Sequence, residues 1–189
     1  MLAAFWRVQP FLAATHKVPA RYLVLEGWLP DYAFEAAVEE FRAGGYQQVF
    51  TTGGPLRKSH GLVFRGDYAQ RAEAALRSLG LSTNEVTAVS APATRRNRTY
   101  VSAKALRDHC AAQGVRLGSV NLVSLGVHAR RSRLCFQQAL GKDAQVGVIS
   151  VENLDYDPGR WWKFSEGVKE VAGETIAFTY AWLTIDHGD

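Results

Sequence analysis

The motifs that usually announce a cofactor or a reaction class are missing from this sequence. There is no nucleophile elbow, Walker loop, H-E-x-x-H or C-x-x-C. No G-x-G-x-x-G follows the first predicted strand, which argues against ordinary NAD(P) binding. Cysteine is scarce: Cys110 and Cys135 lie in separate amphipathic segments without metal-type spacing. They read as free, buried thiols in a reducing, cytoplasmic compartment. The charge excess is only +4, without the dense Lys/Arg stripe of a nucleic-acid binder. No apolar run is long enough to span a bilayer. The apolar stretch 1–14 is broken by Arg7 and Pro10 and lacks a basic n-region. Phe5, Trp6, Phe11 and Leu12 are expected to pack it onto the domain, with peripheral membrane contact as the weaker alternative. Repeats, linkers and low-complexity segments are also absent.

What is present suits one globular domain. The chain has 189 residues, 47% of them hydrophobic and 21% charged, enough to bury a substantial core. Strands and helices alternate regularly. Strands are expected at 21–27, 48–54, 85–90, 119–125 and 144–151. Helices are expected from Asp31, as N-cap, to Gly44-Gly45, from Asp67 to Leu79, at 98–113 and at 129–140. Trp161, Phe164, Val168, Val171, Thr175, Phe178 and Trp182 mark one face of a long last helix over 160–184, with Glu170 and Glu174 on the other. Such alternation predicts a three-layer α/β sandwich, a mostly parallel sheet of about five strands with helices on both faces, after an N-terminal extension over 1–20.

Gln48-Gln-Val-Phe-Thr-Thr-Gly-Gly54 is the stretch around which a site is expected. A short buried strand ends there in two glycines, which tolerate φ > 0 and let a ligand approach the backbone. Ligands bind at the carboxyl ends of parallel strands. The alternative is a tight strand-to-loop turn. Two nearby helix starts break the electrostatic rule that first turns are acidic. One carries Arg95, Arg96, Asn97 and Arg98; the other carries Arg130, Arg131 and Arg133. Arg57 and Lys58 add positive charge on that side. Converging arginines over a glycine floor suit a phosphate, sulfate or carboxylate. The competing account has them reaching into water or pairing with Glu26, Asp31 and Asp67. His128, at a strand-to-helix junction, and Glu26, ending the first strand, are the acid/base candidates. A structural histidine, and a Glu26 that binds a hydroxyl, activates water or neutralises the arginines, are the other roles open. Glu152, Asp155 and Asp157 read as a solvated loop rather than a metal site.

Leu23-Val-Leu25, Thr52-Gly53-Gly54, the polar segment around Asn97 and Thr99, and Ser124-Leu-Gly-Val-His128 followed by Arg131 together resemble the YdcF/ElyC/SanA-like family of bacterial proteins. The match runs from about residue 21 to 150 in the expected order. The resemblance implies a Rossmann-like domain of poorly defined biochemistry, connected with cell-envelope biogenesis and, in one member, with S-adenosylmethionine binding. It maps the family's glycine pair onto Gly53 and Gly54, its threonine onto Thr99, and its histidine and arginine onto His128 and Arg131. Two departures stand out. Asp67-Tyr68-Ala69 replaces a Glu-Ala pair common in the family, and Val101-Ser102 replaces a Glu-Asn pair. The expectation is an anionic, phosphorylated small molecule bound by Gly53, Gly54, Arg95, Arg96, Arg98, Thr99 and Arg131. The alternatives are an S-adenosylmethionine protein, with Glu26 or Asp31 on the ribose hydroxyls, and a non-catalytic envelope-assembly protein with a vestigial pocket.

Overall fold

The computed structural model describes residues 2–56 and 66–185. Arg57, Lys58, His60 and Arg65 fall outside that range. After helix α1 (Leu2–Leu12) come β1 (Tyr22–Glu26), α2 (Asp31–Gly44), β2 (Gln48–Gly53), α3 (Tyr68–Ser78) and β3 (Val86–Ser90). The second half runs α4 (Arg98–Ala112), β4 (Ser119–Leu125), α5 (Ala129–Leu140), β5 (Gln145–Val151) and α6 (Ser165–Ile185).

All five strands pair in parallel, in the order β3-β2-β1-β4-β5. This is the expected three-layer, Rossmann-like sandwich. Alternation within β1 shows how the layers form: Leu23 and Leu25 face the core under α2 and α3, and Val24 faces the core under α4 and α5. The strand order reverses between β1 and β4, the place where a crevice opens beyond the carboxyl ends of an α/β sheet.

Local chemistry sets some of the boundaries. Gly45 stops α2 at φ 66°, a left-handed conformation that costs glycine little. Asp67 caps α3 by accepting from the Gln70 amide at 2.8 Å. Asp31 does not cap α2: Pro30 occupies that position, and the Asp31 carboxylate pairs with Arg71 at 2.8 Å.

The expected long last helix is two elements. A 3-10 segment, Pro158–Lys163, precedes α6, with extended Phe164 between them (φ −116°, ψ 133°). The segment folds back so closely that a Cβ on Gly167 would sit 2.3 Å from the Trp161 carbonyl oxygen. The inward face of α6 also differs from the expected stripe. Gly167, Val171, Glu174 and Ala181 are buried, whereas Val168 and Trp182 are exposed. At the other end of the chain, Leu12 is buried as expected and Trp6 meets Trp162 edge-on, but Trp6 and Phe11 each keep nearly half their surface exposed. No helix among the described residues is long and apolar enough to cross a membrane.

Candidate functional site

A cavity of about 550 Å³ opens over the carboxyl ends of β1 and β2. Its floor is Glu26, Thr52, Gly53 and Gly54; its walls are the starts of α4 and α5, the ring of Tyr68, and Ala177, Tyr180 and Ala181 of α6. A smaller recess of about 120 Å³ adjoins it, sharing Gly54, Tyr68, Arg98 and Ser102.

The glycines of the floor act through size. Neither Gly53 nor Gly54 has a positive φ. A Cβ on Gly53 would fall 2.5 Å from the Tyr68 Cβ, and one on Gly27 would fall 2.1 Å from the Tyr68 carbonyl oxygen. Missing side chains therefore let the first turn of α3 lie directly on the strand ends, where Thr51 Oγ1 donates to the Ala69 carbonyl at 2.9 Å. That contact brings Tyr68 into the cavity wall. Gly54 is different: its Cβ would meet Ala91 and Pro92 oxygens at 3.5 Å, an ordinary contact.

The arginines divide sharply. Arg95 and Arg98 line the cavity at its exposed rim, and neither has a side-chain partner among the described residues. Between them Asn97 turns the chain at φ 50°, the one positive φ outside glycine among the described residues. Left-handed asparagine is tolerated because its short polar side chain limits the steric penalty. Asn97, Thr99 and Ser102 also line the cavity. Arg96 and Asp31 do not; Arg96 contributes a carbonyl to a local turn with the Thr94 hydroxyl, and Asp31 is spent on Arg71. Of the arginines opening α5, only Arg131 faces the site. Arg130 lies over the Phe11 ring at 3.8 Å, and Arg133 donates to the Val146 carbonyl at 2.7 Å.

Arg131 is not a free cation. Glu174 of α6 receives its Nε at 2.7 Å and its Nη2 at 2.9 Å, a bidentate pair in which the carboxylate is buried. His128 joins the same network, with Nδ1 2.9 Å from Glu174 and Nε2 3.1 Å from Glu170. Burial alone would pull the imidazole pKa down, but its hydrogen bonds to Glu170 and Glu174 outweigh that and raise it to about 9. Burial likewise opposes ionisation of Glu174, and bonds from His128 and Arg131 overcome it, holding the carboxyl down at about 2. At neutral pH His128 is thus an imidazolium whose two N–H groups each meet a carboxylate. Its 3.3 Å approach to Arg131 Nη2 is then a contact between donors bridged by Glu174. No ring lone pair remains for a general base, so His128 serves as a held charge. Cys135 also lines the cavity, and burial pushes its thiol up to about 12, which keeps it a neutral, poor nucleophile.

Glu26 is 3% exposed and accepts from Ser124 Oγ at 2.5 Å through Oε2. Ser124 in turn touches Ser132 Oγ at 3.3 Å. No described residue bonds Oε1, and Glu26 lines the cavity. No group of side chains that could hold a metal forms among the described residues; Asp157 instead caps the 3-10 segment and pairs with Arg160.

The ion network predicts a pH profile. The folded-state pKa of His128 is raised from 6.5 to about 9, so its stabilisation is complete below about pH 6.5 and is lost as pH climbs through 9. Unfolding free energy is expected to fall by roughly 2–3 kcal/mol over that window, from about 1.4 kcal/mol per unit less some solvent screening. Glu174 acts oppositely: its contribution is complete above about pH 4.5 and is lost as pH falls toward 2. Both shifts report largely the same pair and are not additive. Urea titrations of wild type and His128→Gln across pH 6.5 to 9.5 check this. Equal alkaline slopes would refute the network.

The sequence reading placed Glu170 and Glu174 on the outer face, and it missed Trp28, Tyr68 and Tyr180. A signal for the carboxylates existed. Glu174 interrupts an otherwise apolar face, and Glu170/Glu174 at i, i+4 match His128/Arg131 at i, i+3.

Compared with family models, with curated proteins and with solved structures, the chain gives no match.

Proposed function

We propose that this cavity binds a phosphorylated or similarly anionic small molecule, with the anion at the rim between Arg95 and Arg98. One observation carries the reading: two guanidinium groups without acidic partners among the described residues flank a single cavity at the switch point of a parallel sheet. Planar guanidinium forks match phosphate geometry, and the backbone start of α4 adds a favourable dipole beside Thr99 and Ser102. Arg131 takes a lesser part than the sequence expectation gave it, since Glu174 offsets its charge; only Nη1 is free of a bond among the described residues. If the bound molecule is also transformed, Glu26 is the group placed to take a proton, because His128 is already protonated.

Calorimetric titration with inorganic phosphate and with organic phosphate esters tests the proposal. Each charge-assisted contact contributes about 1.5–3 kcal/mol, so Arg98→Ala is expected to weaken binding roughly tenfold or more, and Arg95→Ala similarly. Rising salt is expected to weaken binding, because both arginines are solvent-exposed. Unchanged affinity in both variants sinks the assignment. S-adenosylmethionine in the same titration probes the cofactor reading, and a protein that no small molecule stabilises fits the envelope-assembly reading.

A further inference from the structure

The cavity is bipolar in charge. Its rim carries Arg95 and Arg98, both exposed and unpaired among the described residues. Elsewhere its lining includes one carboxyl group, Glu26, and two cations, His128 and Arg131, which are held from outside the lining by Glu170 and Glu174. Glu170 and Glu174 are consumed by those cations. Glu26 is the one left over. It approaches neither cation within ion-pair distance, it is 3% exposed, and one of its oxygens has no protein donor among the described residues. Because Glu26 lines the cavity, that oxygen is open to a donor from whatever fills it. Trp28, Tyr68 and Tyr180 also line the cavity, with the Trp28 ring edge-on to His128 at 4.9 Å.

A ligand that is anionic throughout would be repelled at the Glu26 end. We infer that the site takes a sugar phosphate, its phosphate at Arg95 and Arg98 and its ring hydroxyls donating to the free Oε1 of Glu26. Hydroxyl groups supply neutral donors, and the apolar C–H faces of a sugar ring suit aromatic walls. A cavity of about 550 Å³ accommodates a phosphorylated monosaccharide with ordered water. Glu26 is then the group that tells a sugar phosphate from free phosphate. The inference rests on the anion-site reading above.

Paired titrations with ribose 5-phosphate and inorganic phosphate separate the two ideas. Wild type is expected to bind ribose 5-phosphate at least tenfold tighter than phosphate, the worth of about one charge-assisted hydrogen bond. Glu26→Gln keeps the shape and the Ser124 contact but removes the charged acceptor. It is expected to weaken ribose 5-phosphate roughly tenfold while leaving phosphate unchanged or slightly tighter. A purely electrostatic Glu26 would instead tighten both ligands on neutralisation, and that result overturns the inference. So does equal wild-type affinity for the two ligands. If Glu26→Gln does not fold, Glu26→Asp, which retracts the carboxyl by one methylene, is expected to narrow the preference in the same direction; an unchanged preference there also overturns it. Failure of both ligands to bind wild type removes the anion site itself, an outcome distinct from phosphate binding without sugar preference.

Discussion

Replacing Glu174 with alanine is expected to lower the unfolding free energy by about 2–4 kcal/mol, because two cations lose their shared partner. Arg131 gives Glu174 two hydrogen bonds, and His128 Nδ1 gives a third at 2.9 Å. Removing the carboxylate leaves a mostly buried guanidinium facing an imidazolium at 3.3 Å. A fully buried pair broken on one side loses about 3–5 kcal/mol; partial solvent access to both cations reduces that range. For a domain of this size the melting temperature is expected to fall by roughly 5–12 °C. The variant has a second expected effect of opposite benefit. Freed of Glu174, Arg131 adds a cation to the cavity, so phosphate binding is expected to tighten as stability drops. Thermal unfolding together with phosphate titration checks both. A melting temperature within 1–2 °C of wild type would show that α6 is not held through this network.

A comparable loss is expected from the smallest substitution available, Gly27→Ala. The added Cβ would stand 2.1 Å from the Tyr68 carbonyl oxygen and 2.5 Å from its carbon. Both are backbone atoms at the start of a helix and cannot swing aside as a side-chain end would. Restoring normal separation moves the first turn of α3 by about 1 Å. That shift works against the Gly27 amide bond to the Thr52 carbonyl at 2.8 Å and the Thr51 hydroxyl bond to Ala69 at 2.9 Å. Overpacking costs about 1–3 kcal/mol where side chains can adjust, so about 3 kcal/mol or more is expected here. Gly54→Ala is the control: its Cβ would meet oxygens at 3.5 Å, and its stability is expected to stay within about 1 kcal/mol of wild type. Urea denaturation of the two variants measures the contrast. Similar midpoints would mean that α3 is not seated on the strand ends as described.

The type and order of the elements from β1 to β5 were legible in the sequence because each is decided within a short window. Val49-Phe50-Thr51-Thr52 has the β-branched and aromatic composition of a buried strand, Gly45 supplies a left-handed stop, and Asp67 caps its own helix three residues on. From that alternation the parallel sheet followed, and with it the edge at which Glu26, Gly53, Arg98 and His128 gather.

Tertiary packing decided what those residues face. Arg130, Arg131 and Arg133 look alike in sequence, yet one lies on Phe11, one is bound by Glu174 and one donates to the Val146 carbonyl of β5, because each partner comes from a different element. Gly53 was noticed for backbone freedom and proves to matter for the approach of Tyr68, a contact between strand and helix that no local pattern encodes. The choice of the α6 face that buries Glu174 also lies beyond periodicity. A carboxylate on an apolar face is stable only where cations wait beneath it, and those stand 43 and 46 residues away, on and beside α5. Short-range physics located the edge of the site; long-range pairing of charge selected Arg95, Arg98 and Glu26 as the groups left open at it.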